Sequence, residues 1–120
     1  MSSRLPSLFA TLVVLVALPA VPAQAGFVSG KDLQDICLAD QQGSGSSLKA
    51  AECLGFVMGV ADTFDCVEKH HGFNWDSSAK VNQQQMVKLV VTWLDLHQNA
   101  LRYEADGLVA AALAEAFPCK

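Results

Sequence analysis

The sequence lacks a surplus of basic residues. Its 120 residues hold 8 lysines and arginines against 12 aspartates and glutamates, for a formal net charge of −4. Nucleic-acid binders and proteins held on anionic lipid both need a basic face to neutralise phosphates. The acidic balance therefore predicts no nucleic-acid partner and no electrostatic membrane contact. The length allows one domain, which excludes a multi-domain enzyme or a repeat array.

Motifs for catalysis and metal binding are also missing. The chain has no G-x-S-x-G, no H-E-x-x-H, no phosphate-binding glycine loop and no C-x-x-C pair. The adjacent His70 and His71 are typical of solvated loop residues. The sequence therefore predicts no catalytic residue, no metal and no cofactor, and it favours a binding protein over an enzyme.

The first 25 residues have the pattern of a cleavable secretory signal. Arg4 precedes the apolar run 8–18, prolines follow, and Ala23-Gln24-Ala25 places small residues one and three positions before Gly26. The apolar run of about 11 residues is much shorter than the ~20 that cross a bilayer. We therefore expect cleavage after Ala25, export, and one helical domain over residues 26–120 without further membrane contact.

Apolar residues recur at helical spacing in four segments, and no stretch alternates with the period of a strand. The first three segments cover about 31–39, 48–68 and 80–98, and the fourth carries an apolar stripe that ends at Pro118. The pattern predicts an all-α fold, a small four-helix domain. Gly55 and Gly59 lie four residues apart in the second segment, and we expect them at a close helix crossing, since glycine otherwise weakens a helix.

The 4 cysteines are Cys37, Cys53, Cys66 and Cys119. An even number in a small exported domain predicts two disulfides. If the second helix continues to residue 68, Cys53 and Cys66 lie about 20 Å apart along it, too far for a bond. Of the two remaining pairings we prefer Cys37–Cys53 with Cys66–Cys119, because an antiparallel helix hairpin brings the first pair together.

Several polar and aromatic residues have two interpretations. Asp62, Asp65 and Glu68 share one helix face, and we read them as a solvated stripe rather than acid/base machinery. The apolar stripe of the third helix predicts a core position for Trp93 and a helix-end position for His97. Trp75 lies in a loop, where it either covers the core or anchors a partner.

Four sequence features together resemble the Rap/Tai family of immunity proteins. They are the run CLGFVMGVAD at 53–62, Val90-x-x-Trp93-Leu94-x-x-His97, Arg102, and the closing Ala116-Phe117-Pro118-Cys119. The resemblance extends over nearly the whole chain from Gly26 onward. It implies a periplasmic helical protein, often a homodimer, that binds a peptidoglycan amidase effector of type VI secretion and blocks its active-site groove.

On this interpretation the partner-binding residues lie in the loop after the second helix. We assign them as Phe73, Trp75, Asp76, His71 and Glu68, with the aromatic rings filling apolar subsites and the carboxylates meeting polar or basic groups. The acidic face of the second helix and the connector 99–104 are rival contact surfaces. Alternative functions are an acid-activated periplasmic chaperone, opened by protonation of its carboxylates, and an orphan envelope protein of the same fold.

Overall fold

A computed structural model of the chain describes residues 26–41, 47–67 and 73–120. These residues form four helices: α1 (Gly30–Gln41), α2 (Ser47–Thr63), α3 (Gln83–Leu96) and α4 (Ala105–Ala116). A single 3₁₀ turn, Gln98–Ala100, follows α3. In the described part of the chain, strand-like pairing is confined to isolated bridges. The all-α prediction is therefore confirmed, whereas the signal segment 1–25 lies outside the described residues.

The core lies where the predicted apolar stripes meet. The stripe of α3 contributes Val90 and Leu94, both fully buried, and that of α4 contributes Val109 and Leu113, also fully buried. The core side of α1 and α2 consists of Leu33, Cys37, Cys53, Val57, Val60 and Ala61. Burying each large aliphatic side chain contributes about 1.5–3 kcal/mol, so these stripes supply most of the force that packs the helices.

Helix α3 begins three residues later than the pattern predicts, because its start is fixed by a capping box. The side chain of Asn82 accepts a hydrogen bond from the backbone N–H of Gln85 (2.9 Å). The Gln85 side chain in turn accepts one from the N–H of Asn82 (2.9 Å). The two bonds satisfy donors that the first turn leaves unpaired.

Helix α2 ends at Thr63, and the prediction that it continues to residue 68 is wrong. The chain leaves the helix to pair with the loop that follows. The N–H of Cys66 donates to the carbonyl of Trp75 (3.0 Å), and the N–H of Trp75 donates to the carbonyl of Phe64 (3.0 Å). These bonds use backbone groups that a longer helix would need for itself.

The cysteines form the two preferred disulfides, Cys37–Cys53 with Cα atoms 5.1 Å apart and Cys66–Cys119 with Cα atoms 5.9 Å apart. The first joins α1 to α2. The second ties the C-terminus to the segment after α2. The pairing is confirmed, although the continuous helix that we used to exclude Cys53–Cys66 is not present.

The close approach of backbones occurs at Gly30, not at Gly55 and Gly59. Both glycines of α2 are exposed, and a Cβ on either would meet open space. A Cβ on Gly30 would lie 3.0 Å from the Cα of Leu101 and would overlap the side chain of Leu108. The prediction of a close crossing at Gly55 and Gly59 is therefore wrong for this chain.

These two environments predict opposite effects of adding one methyl group. We expect Gly30→Ala to lower the free energy of unfolding by about 1–3 kcal/mol, because the added carbon forces α1 away from Leu101. The matched control Gly55→Ala is expected to raise it by up to about 1 kcal/mol, since alanine is the better helix residue. Urea denaturation of the oxidised proteins measures both. Equal effects would show that α1 does not depend on the close approach.

Candidate partner-binding groove

The N-terminal segment 26–31 runs beside the connector 99–104 and is held there by main-chain hydrogen bonds. The N–H of Gly30 donates to the carbonyl of Tyr103 (2.8 Å), and the N–H of Lys31 donates to that of Leu101 (3.0 Å). The N–H of Ala105 donates to the carbonyl of Val28 (2.9 Å). The two segments therefore form a fixed frame at one end of the helices.

A groove of about 870 Å³ opens along this frame. Its walls come from the N-terminal segment, α1, the loop before α3, α3 itself, the connector and α4. The aromatic and charged residues that line it are Phe27, Asp32, Phe73, Trp93, Arg102, Tyr103, Glu104 and Asp106. We call this set the aromatic groove.

Three aromatic rings of the groove are presented to solvent. Phe27 is fully exposed, and Phe73 and Tyr103 are each 57% exposed. The guanidinium of Arg102 lies 5.2 Å from the centre of the Tyr103 ring, a distance at which cation and ring attract each other. Aromatic residues and arginine are enriched where protein partners bind. Their concentration here makes the groove the strongest candidate for a contact surface.

The charged groups of the groove are mostly acidic. Asp32, Glu104 and Asp106 lie along it beside the single cation of Arg102. The hydroxyl of Ser29 donates to the carboxylate of Asp32 (2.6 Å), as does the N–H of the same serine (3.0 Å). These bonds hold the pKa of Asp32 below its usual range. The groove therefore stays negatively charged at neutral pH and suits a partner with basic groups.

The structure separates the residues that we predicted for binding. Phe73 lines the groove. Asp76 is half-buried and does not line the groove, and its carboxylate accepts hydrogen bonds from the N–H (3.0 Å) and the hydroxyl (2.5 Å) of Ser78. Glu68 and His71 lie outside the described residues. The binding role of Phe73 and Asp76 stays a prediction.

Trp75 covers the core. It is only 6% exposed, and its indole Nε1–H donates to the carbonyl of Ala61 (2.7 Å). Its ring lies 6.2 Å from that of Phe117. Of the two interpretations of this tryptophan, its burial favours the core residue, and its binding role stays a prediction.

Trp93 packs against the core as expected, but it is only half-buried. Its indole Nε1–H donates to the carboxylate of Glu115 (2.8 Å). Its ring stacks on His97 at 3.8 Å between centroids. The Nδ1–H of His97 donates to the carbonyl of Trp93 (2.6 Å), which confirms the helix-end position of this histidine.

The predicted binding loop and one of its two rival surfaces, the connector, are partly one surface. The connector 99–104 and the loop residue Phe73 line the same groove, whereas Asp62 and Asp65 of the acidic face do not. Sequence reasoning missed Phe27 and Tyr103. The signal that could have found them is the one that singled out Phe73, namely an aromatic side chain outside every helical stripe.

All four cysteines are disulfide-bonded, and the described residues hold no group of three or more side chains arranged to bind a metal ion. None of the described helices is both long and apolar enough to cross a membrane.

A family model for the Rap1a immunity proteins matches residues 29–119. The match covers most of the chain, and the chain therefore belongs to this family of immunity proteins, as the resemblance of its motifs predicted. No curated protein matches the chain significantly.

The different burial of the two loop aromatics predicts different effects on stability. We expect Trp75→Ala to lower the free energy of unfolding by about 3–5 kcal/mol, because it empties a core site and frees a buried carbonyl. Phe73→Ala should change it by less than about 0.5 kcal/mol, as for most surface substitutions. Denaturant unfolding followed by circular dichroism measures both, and a large loss for Phe73→Ala would show that this ring belongs to the core.

The loop also predicts a pH-dependent contribution to stability. The hydroxyl of Ser77 and the N–H of Val67 donate to the carboxylate of Asp65, and they lower its pKa in the folded state. Such a group stabilises the fold above the unfolded pKa of about 3.9, and this contribution is lost as the pH falls through the lower folded value.

We therefore expect Ser77→Ala to melt below the wild type at pH 7, with the difference shrinking as the pH falls below the unfolded pKa of about 3.9. Thr92→Ala is the matched control. The Thr92 hydroxyl donates to the backbone carbonyl of Lys88, and a carbonyl group does not titrate. Melting curves at several pH values test this. A Ser77→Ala difference that persists unchanged in acid would contradict the assigned bond.

Proposed function

We propose, from membership of the Rap1a immunity family, that this protein is an exported immunity protein that binds a peptidoglycan amidase effector of type VI secretion and blocks it. The family supports an immunity function against an effector. The amidase and the periplasmic site of action are the finer part of the proposal, and they follow from the resemblance of the motifs.

The observation that carries the proposal is the aromatic groove. Single exposed aromatic rings are common on protein surfaces. Several rings on one surface usually mark an interaction site. Phe27, Phe73 and Tyr103 come from three separate parts of the chain and still line a single groove. We infer that a segment of the effector seats against these rings while its basic groups face Asp32 and Asp106.

The scaffold beneath the groove suits an inhibitor. A binder that is already rigid loses little conformational freedom on association, so more of its contact energy appears as affinity. Main-chain hydrogen bonds fix the connector against the N-terminal segment, and the Cys66–Cys119 disulfide ties the end of the chain to the residues just after α2. Blocking an enzyme in this way needs no reactive group on the inhibitor.

Export is supported by two independent features. Disulfides persist in oxidising compartments and are rare in the cytosol, and this chain has two. Residues 1–25 have the composition of a secretory signal. Since peptidoglycan lies outside the cytoplasmic membrane, an inhibitor of a cell-wall amidase must act there. The homodimer implied by the family resemblance stays a prediction.

The proposed function is tested by capturing the partner and measuring its inhibition. The oxidised protein starting at Gly26 is used as bait at neutral pH against secreted effectors of the source cells, and the captured amidase is assayed on peptidoglycan with and without the bait. Inhibition at an equimolar ratio is the expected result. Binding of unfolded clients only in acid would instead identify the alternative chaperone, and no capture in either condition would contradict the immunity role.

The groove is then tested by substitution. We expect Phe73→Ala combined with Tyr103→Ala to weaken binding by at least about 30-fold, because truncated anchors each cost about 1 kcal/mol or more. Leu48→Ala is the matched control, since Leu48 is 72% exposed on α2, away from the groove. Calorimetric titration with an inactive amidase variant measures both. A loss confined to Leu48→Ala would move the contact surface to α2.

A further inference from the structure

The residue at the start of the proposed mature chain lies against a carboxylate. The backbone nitrogen of Gly26 donates to Oε1 of Glu104 at 2.9 Å. A Cβ on residue 26 would lie 2.8 Å from the Cδ and Cγ atoms of the same glutamate. The nitrogen and the carboxylate are therefore in direct contact, with no side chain between them.

The contact is held in place from both sides. Two residues after Gly26, the carbonyl of Val28 accepts a hydrogen bond from the N–H of Ala105 (2.9 Å). The N–H of Gly30 donates to the carbonyl of Tyr103 (2.8 Å). Glu104 is the N-cap residue of α4 and makes no capping bond with its side chain. Its carboxylate is therefore available to residue 26 and lies at the N-terminal, positive end of the helix.

We propose that cleavage after Ala25 converts this hydrogen bond into an ion pair on the wall of the aromatic groove, where both residues lie. A signal peptidase would add water across the Ala25–Gly26 amide, leaving a carboxylate on Ala25 and an amine on Gly26. The amine takes up a proton at neutral pH, since α-amino groups have a pKa of about 7.7–8.0. The new ammonium then faces Glu104. The inference rests on the export that we propose above.

The surroundings favour a positive charge at this point. The ionisable side chains that line the groove with Gly26 are Asp32 on α1, Arg102, Tyr103 and Glu104 before α4, and Asp106 on α4. The carboxylates outnumber the single guanidinium, so the ammonium enters a region of negative potential. Processing would thus add a cation to the surface that we assign to the effector, and the precursor would lack it.

The test uses protein that begins with Gly26, labelled with ¹³C in its glycines, and follows the Gly26 Cα signal by NMR as the pH is raised. We expect the α-amino pKa to lie roughly 0.2–0.7 unit above its ordinary value, the shift of an exposed ion pair. Glu104→Gln should remove this rise. The control Asp106→Asn should leave most of it, because the Asp106 carboxylate accepts the N–H of Gly107 and does not contact Gly26.

A second form of the protein guards against misfolding of the Glu104 variant. One alanine added before Gly26 moves the ammonium by about 3.5 Å along the chain, and its pKa should return to the ordinary range. Equal α-amino pKa values in the wild type and Glu104→Gln would overturn the ion pair.

The intact mass of protein recovered from the periplasm tests the cut itself. A mass that begins at Gly26 supports the inference, and any other start overturns it. Neither result depends on the amidase, so a failure here is distinct from a failure to bind the effector.

Discussion

The crossing of α1 over the connector before α4 determines the geometry of the groove. At Gly30 the absence of a side chain lets the start of α1 approach the Cα of Leu101 and the side chain of Leu108. That approach brings the N–H groups of Gly30 and Lys31 within bonding distance of carbonyls on the connector. The rings of Phe27 and Tyr103 thereby come to line one groove. Without this crossing, the exposed aromatics would lie on unrelated surfaces.

The Cys66–Cys119 disulfide and Trp75 hold the loop after α2 in place. The Cys66–Cys119 bond, the main-chain pairing of Trp75 with Phe64 and Cys66, and the bond from Asp76 to the carbonyl of Phe117 join the loop after α2 to the C-terminus. The indole of Trp75 fills the space between α2 and that C-terminal segment. The two loop aromatics therefore have different positions. The buried Trp75 fixes the loop, whereas Phe73 remains exposed on the groove.

Local sequence patterns predicted the parts of the fold that depend on local spacing. The buried stripe through Val90 and Leu94 follows from helical periodicity, and the disulfide pairing follows from the hairpin of α1 and α2. Features that depend on distant partners were not predictable in this way. The early end of α2 is caused by backbone hydrogen bonds between Trp75 and the residues Phe64 and Cys66. Glycine is needed at Gly30, where another part of the chain approaches, rather than at Gly55. The groove is formed by residues that lie far apart in the sequence, and no local pattern indicates that they meet.

The central claim is that the aromatic groove is the surface that binds the effector. Amide hydrogen exchange on the protein, alone and in complex with its amidase, tests this most directly because it locates the contact without changing any residue. The account predicts slower exchange in residues 26–32, 73–76 and 99–107 on binding, with α2 unchanged. Slower exchange confined to the exposed face of α2, with no change along the groove, would contradict it.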